Sequence, residues 1–482
     1  MIEWRCNHFV GAMAGLLRYL VAVPGNFGAT AALKSRFGQD GVTGAGRRVR
    51  RVSDRRCGAA GPVRRRLALS ALGTALALAG ATAQAQTPEA ADADDVARGV
   101  TVQSRPRPEF DPLGVRLPGW RLDGAVETGG GYDDNLPRTA GGQGGGFLSE
   151  DLAVAARTDW TRHQIGLAVT QGTRRYPGHA DFDWDDYTVG LDGRYDVGRA
   201  SAIRLGYRHE RAHLDLSDFD SQGAGLTRPA PFDIDRFMLG ATAAITRLTL
   251  DADLEYQALR YEDVATSAGT NRLSLSDHDS LAGTLRAAYE LSPGRDLLAL
   301  TRLEDIRYRD ASQRGRDSRT WEVQGGFRYD IDGLWQAQLT MGYRQRDYDQ
   351  PGLKPLSGLA LDGQLVWLPS QLVTLTLGAS RTIEESIQQS SVSYTRSLLR
   401  AQLDYEMRRN VILTAELRGE RRDYPTEDGD VVDGIGLVSA RWLLNRNMAL
   451  IGSYQHSERL SSPGGLREYG LNIVTLRLRF SL

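Results

Sequence analysis

Beyond residue 85 the chain carries six histidines, His163, His179, His209, His213, His278 and His456, and they are scattered. Nucleophilic hydrolysis needs a serine, a histidine and an orienting polar group brought together, and no G-x-S-x-G turn presents a serine here. His209 and His213 stand four apart, which on an extended chain means one face but a separation of roughly 13 Å, too wide for a shared metal. The run Asp181-Phe182-Asp183-Trp184-Asp185-Asp186 offers hard oxygen atoms of the kind Ca²⁺ takes. It lacks the glycine and closing glutamate of an EF-hand loop and reads first as a solvated acidic loop. The glycine-rich stretch 141–146 has no helix after it and is no phosphate cradle. No catalytic, cofactor or metal site is expected, and the chain is not read as an enzyme.

What recurs instead is charge on alternate positions. Arg194, Arg204, Arg208, Arg236, Arg286, Arg344, Arg441 and Arg477 share a register with Glu210, Asp251, Asp253 and Glu255, while apolar residues fill the opposite register. In 236–245, Phe237, Leu239, Ala241, Ala243 and Ile245 alternate with Arg236, Met238, Gly240 and Thr242. The last segment sets Val474, Leu476, Leu478, Phe480 and Leu482 against Thr475, Arg477, Arg479 and Ser481. Period two is the signature of a strand with two unlike faces.

From Trp120 to Leu482 about eighteen such segments follow one another, joined alternately by short and long connections. The short ones fall at 161–162, 198–200, 246–247, 292–295, 332–333, 370–371, 408–410 and 445–447. The long ones cover 133–146, 177–185, 214–233, 262–277, 309–318, 349–357, 385–394, 425–432 and 459–468. Tight turns on one side and long loops on the other predict an all-β fold, a transmembrane up-and-down antiparallel β-barrel of about 18 strands (16–18), with both ends periplasmic. One face then meets hydrocarbon and the other encloses water. The aromatics Trp160, Tyr195, Tyr289, Tyr329, Trp335, Trp367, Tyr405 and Trp442 lie near the short turns on the apolar register, where an interfacial girdle belongs. In 297–308, Leu297 and Leu298 support opposite registers and leave that strand's facing open.

The charged register is the candidate lumen lining. A second group, Arg174 and Tyr176 with Tyr261, Tyr308, Tyr348 and Tyr424, ends strands just before long loops. It reads as an outer rim able to grip lipopolysaccharide phosphates or acidic sugars, or more simply as an anchor belt with charge at the lumen mouth.

Upstream, Arg64-Arg65-Arg66, an apolar stretch from Leu67 to Gly80, and Ala83-Gln84-Ala85 read as a signal peptide over 63–85 cleaved after Ala85, hence export by the general secretory pathway. Residues 1–62 form an Arg-rich upstream extension, expected either to precede the native start, with Val63 as initiator, or to be a leader without order. Removing 1–85 takes away 13 Lys+Arg and 3 Asp+Glu, leaving 46 basic and 57 acidic side chains, net −11, which argues against nucleic acid as a partner. It also removes Cys6 and Cys57, and with them disulfides, thiol catalysis and Cys–Zn sites. Residues 86–119 are a Pro-rich periplasmic lead-in, expected to be a tether or a strap tucked into the barrel mouth. The barrel itself is expected over 120–482.

Two groups of residues carry a family likeness. One is Arg105-Pro106-Arg107-Pro108-Glu109-Phe110-Asp111-Pro112-Leu113-Gly114 with Gly131-Tyr132-Asp133-Asp134-Asn135. The other is Trp367-Leu368-Pro369-Ser370 followed by Leu372-Val373-Thr374-Leu375 and Arg381-Thr382-Ile383-Glu384-Glu385. Together they resemble the outer-membrane β-barrel proteins grouped as putative β-barrel porin 2. The resemblance covers roughly 100–482 and implies the outer membrane of a Gram-negative bacterium and a link to exopolysaccharide synthesis and export. Such barrels commonly end in an aromatic residue, whereas Leu482 is last here.

The leading expectation is thus a porin-like channel for polar solutes that assists exopolysaccharide export. The second is a closed structural or binding barrel without flux, and the third a lipid-modifying outer-membrane enzyme. Expected partners are outer-membrane lipid and lipopolysaccharide, the barrel-assembly machinery and polysaccharide export components.

Overall fold

The computed structural model describes residues 99–482, apart from 267–268, 389, 426–428 and 464–467. The upstream extension, the signal peptide and its cleavage at Ala85 lie outside the described residues. Eighteen long strands follow in order. They are β1 (Trp120–Asp133), β2 (Gly145–Thr158), β3 (Gln164–Arg175), β4 (Trp184–Asp196), β5 (Ser201–Leu214) and β6 (Ala230–Ile245). Next come β7 (Leu248–Tyr261), β8 (His278–Ser292), β9 (Arg295–Tyr308), β10 (Ser318–Ile331), β11 (Trp335–Tyr348) and β12 (Leu356–Ser370). The ring is completed by β13 (Val373–Glu385), β14 (Ser393–Arg408), β15 (Val411–Asp423), β16 (Asp430–Leu443), β17 (Met448–Ser461) and β18 (Gly470–Ser481).

Each strand pairs antiparallel with its neighbours in sequence, and β1 pairs with β18 from Ala125↔Ser481 to Asp133↔Ile473. The barrel is closed, so no row of backbone donors is left facing lipid. The run Gly129-Gly130-Gly131 lies at this seam, where the strands approach closely. A Cβ on Gly129 would stand 2.2 Å from the Leu476 carbonyl oxygen, and one on Gly131 2.3 Å from that of Val474.

Local chemistry explains the short ends. At Asp332-Gly333 both residues have positive φ (52° and 69°), and the Leu334 amide donates to the Ile331 carbonyl at 2.9 Å, the I′-like turn that matches the twist of paired strands. Pro369 sits where the β12–β13 register shifts between Trp367 and Ser370, a place in a ladder that tolerates a missing N–H. The Trp367 ring stacks on Trp335 of the neighbouring hairpin at 4.8 Å and 15°.

The two faces separate as the alternation requires. Leu167, Val189, Leu205, Leu239, Leu303, Met341, Val438 and Leu476 are exposed on the outer surface, as are the girdle residues Trp160, Tyr195, Tyr289, Trp335, Tyr405 and Trp442. Exposure of so much apolar surface is stable only against lipid. The facing of β9 is settled by its pairing. Leu297 and Leu303 are exposed, while Glu304, Ile306 and Tyr308 are buried, so Leu298 turns inward.

Residues 86–98 of the lead-in lie outside the described residues; from Gly99 on it is a strap inside the short-turn mouth. Residues 115–117 form a small strand on β1, and the chain before them lies on inward-facing side chains. Val102 donates its amide to Thr374 Oγ1 (2.9 Å), Gln103 donates to Asp404 Oδ1 (2.8 Å), and Arg446 donates to the Pro108 carbonyl (2.9 Å).

Candidate functional site

The inward register holds the twelve charged residues singled out above as lumen lining, and it organises most of them into pairs between strands that are adjacent or one apart. Arg204 reaches Asp251 (3.4 Å) and Asp253 (2.9 Å), and Arg286 closes on the same Asp253. Arg236 meets Glu255 at 3.1 Å, and Arg344 meets Glu322. Arg477 lies 3.1 Å from both Glu127 and Asp151, tying β18 to β1 and β2 across the seam. Arg194 turns to Asp196 near the short-turn end, and Arg441 donates to Gln103 of the strap. Arg208 and Glu210 share the inward face of β5. Where both partners are exposed such a pair gains only about 0–1 kcal/mol over separate solvation, whereas Arg344 and Glu322 are largely sealed from water.

The six residues grouped as an outer rim do not form one. Tyr176, Tyr308 and Tyr424 are only 4%, 4% and 1% exposed, and Arg174 lies over the Phe147 ring at 4.3 Å. Tyr308 donates to Glu385 Oε2 at 2.5 Å, and Tyr348 bonds Ser393. Tyr261 packs beside the cluster of Leu216, Leu226, Ala230, Val264 and Leu273. Their register continues the inward face, so the rings line the inside of the long-loop mouth rather than the headgroup zone. The acidic run is also committed locally, since Asp183 accepts from the Tyr176 amide (2.7 Å) and Asp186 bonds His213 (2.9 Å).

That mouth is bridged. In the loop between β5 and β6, helix α1 (Phe219–Gly223) reaches β15 to β17, on the far side of the ring. Tyr424 donates to Asp220 Oδ1 (2.6 Å), Gln388 donates to the same oxygen (2.8 Å), and Arg422 pairs with Asp218. Arg459 of β17 donates to Gln222 (2.6 Å) and to the Ser217 carbonyl (2.6 Å), and Gln222 in turn donates to the Arg138 carbonyl (3.0 Å). Burial, with Asp218 beside it, pushes the Asp220 carboxyl above the ordinary aspartate range. Burial pushes Asp215 the same way, but Arg138 and the Ser217 hydroxyl and amide outweigh it and hold that carboxyl below its usual value.

Under this bridge lies a cavity of about 800 Å³ lined by charged groups including Glu210, Arg236, Glu304, Arg346, Glu416 and Arg418. Glu304 escapes the sequence reading because the facing of 297–308 is open there, and Arg346 because it closes the strand whose end at Tyr348 reads as rim. Extending the inward parity of Arg344 by two residues finds Arg346.

Residues 209–213, His-Glu-Arg-Ala-His, carry the letters H-E-x-x-H, which bind zinc when a helix places both imidazoles on one side. Here they lie in β5, and His209 bonds Asp235 (3.0 Å) while His213 bonds Asp186. Among the described residues no group of three or more His, Cys, Asp or Glu stands where it could hold a metal.

A family profile described as putative beta-barrel porin 2 matches residues 107–482. The chain belongs to that family. This family member is an outer-membrane β-barrel of porin type. Among solved structures it is similar to OccK1 (OpdK) of Pseudomonas aeruginosa, with 11% identity and TM-score 0.43, covering 76% of this chain and 100% of that one. It is also similar to OccK3 (OpdO) of P. aeruginosa (11% identity, TM-score 0.44, 76% and 96% covered) and to OccAB3 of Acinetobacter baumannii (10%, 0.42, 76% and 100%). No curated protein matches the chain.

Proposed function

We propose that this barrel is a non-enzymatic diffusion channel for polar solutes and that it serves exopolysaccharide export. The observation that carries the reading is the inward ionic register around an internal cavity of about 800 Å³. Eighteen strands enclose more width than wall side chains fill, and a charged hydrated wall selects permeants by field and size. The link to exopolysaccharide rests on family membership alone. Under this reading the chain travels by the general secretory pathway, is inserted by the barrel-assembly machinery, rests in a leaflet of lipopolysaccharide and works beside polysaccharide export components.

Planar-bilayer recording with the purified mature protein tests it. Discrete conductance steps, together with uptake of small neutral sugars into proteoliposomes, support the channel. A barrel folded by its heat-modifiable gel mobility but silent in both assays would instead be the closed structural barrel. That second reading has its own support in the loop of α1 bridging one mouth and the strap lying in the other.

A further inference from the structure

The strap does more than pass through the short-turn mouth. It runs from Gly99, where a Cβ would stand 2.7 Å from Gln336 of β11, to Gly114, whose amide donates to the Leu482 carbonyl at 3.2 Å beyond β18. Between those points it seats on one carboxylate. Glu406 Oε2 takes Arg107 at 2.8 Å and Arg105 at 3.2 Å, and Arg107 also donates to the Val102 carbonyl at 2.7 Å. Thr374, Asp404 and Glu406 are 1%, 2% and 3% exposed. On the uncovered part of the same wall, Arg400 and Arg418 stay 38% and 35% exposed. The strap therefore occupies lumen that would otherwise be water.

Its attachment is of a kind that can let go. Among its apolar residues only Val102 is buried, and the remaining anchors are hydrogen bonds and ion pairs. Pro106 and Pro108 fix their own φ, Pro108 within the turn in which the Phe110 and Asp111 amides both donate to the Arg107 carbonyl at 2.7 Å, which lowers the entropy lost on seating. A segment made this way binds through a few matched polar contacts and leaves without unravelling a core.

We propose that residues 99–112 are a tethered latch on the inner mouth: seated on Thr374, Asp404 and Glu406 they hold the pore in a narrow state, and their release widens it. This rests on the channel reading above. The strap's own wall site is then a binding site for an Arg-Pro-Arg segment held between two turns, and its occupant is this chain.

The test compares, in planar bilayers, the mature protein, a chain beginning at residue 113, and the full-length double variant Arg105→Ala with Arg107→Ala, each first shown to fold by heat-modifiable mobility and circular dichroism. Unitary conductance rises at least about twofold in both altered proteins, since conductance follows open cross-section. A synthetic peptide of residues 99–114 then lowers the conductance of the truncated barrel, and Glu406→Gln in that barrel abolishes the block. Equal, non-zero conductance in all three proteins overturns the latch and leaves the channel standing. Silence in all three overturns both. A silent mature protein beside a conducting double variant supports the latch, and should truncation prevent folding, the double variant decides alone.

Discussion

Replacing Arg346 by Met is expected to cost more stability than any other single lumen substitution. The guanidinium is 2% exposed and donates to Thr320 Oγ1 (2.8 Å), to Glu304 Oε2 (3.2 Å) and to Glu385. Glu304 and Glu385 are themselves largely sealed from water. Removing the cation leaves two carboxylates facing each other without it. Breaking one buried pair costs about 3–5 kcal/mol, and two stranded anions put this case at the upper end of that range. The triple variant Arg346→Met, Glu304→Gln, Glu385→Gln removes the stranded charge and recovers more than half of the loss, since a buried ion cluster contributes little net stability over neutral packing. Urea unfolding of the barrel in lipid vesicles, followed by tryptophan fluorescence, measures both. A loss under about 1 kcal/mol for the single variant refutes the reasoning, because the cluster would then be screened by water like an exposed pair.

Leu239→Arg on the outer face should cost about 2–4 kcal/mol in the same assay, the penalty for a cation near mid-bilayer, and Met238→Arg, one residue earlier and turned inward, well under half of that. Equal costs would mean the faces are misassigned. Acidification from neutral pH should tighten the α1 bridge. A carboxyl whose pKa is raised on folding, as at Asp220, stabilises the seated loop below that pKa and loses the contribution as pH rises through it. The opposite contribution of Asp215 is lost only as pH falls through its lowered value, below about 4. Between these limits hydrogen-exchange protection of residues 215–229 rises as pH falls, and Asp220→Asn flattens the trend. Protection that falls instead contradicts it. With Trp442 as the sole tryptophan, bromines near the headgroup end of the acyl chains should quench its fluorescence more than bromines near the tail, and the reverse order would remove it from the girdle.

Period two made most of this barrel legible. The long connection at 262–277 coincides with the gap between β7 and β8, and the short one at 246–247 with that between β6 and β7, because turn chemistry and alternation are local signals. The ambiguous facing at Leu297 and Leu298 was settled only by pairing with β8 and β10, which a lone strand does not report. Contacts across the lumen were not legible at all. Asp220 and Tyr424 lie 204 residues apart, as do Asp218 and Arg422, and nothing in either segment announces the other. The tyrosines before long loops were read as outward because aromatics favour interfaces, yet strand parity carries them inward, and inside the mouth they bury against the folded loops. The strap was legible as proline-stiffened chain, but its seat on Glu406, about 300 residues away, was not.

The account depends on β6 facing hydrocarbon with one set of residues and water with the other. Nitroxide labels placed singly at positions 236 to 243, in protein reconstituted into vesicles, report it through collision with oxygen, which concentrates in lipid, and with a water-soluble nickel chelate. Oxygen accessibility should peak at 237, 239, 241 and 243 and the chelate at the even positions, the two profiles running out of phase with period two. Profiles that rise together, or chelate access equal on both sets, would contradict the barrel's placement in the membrane.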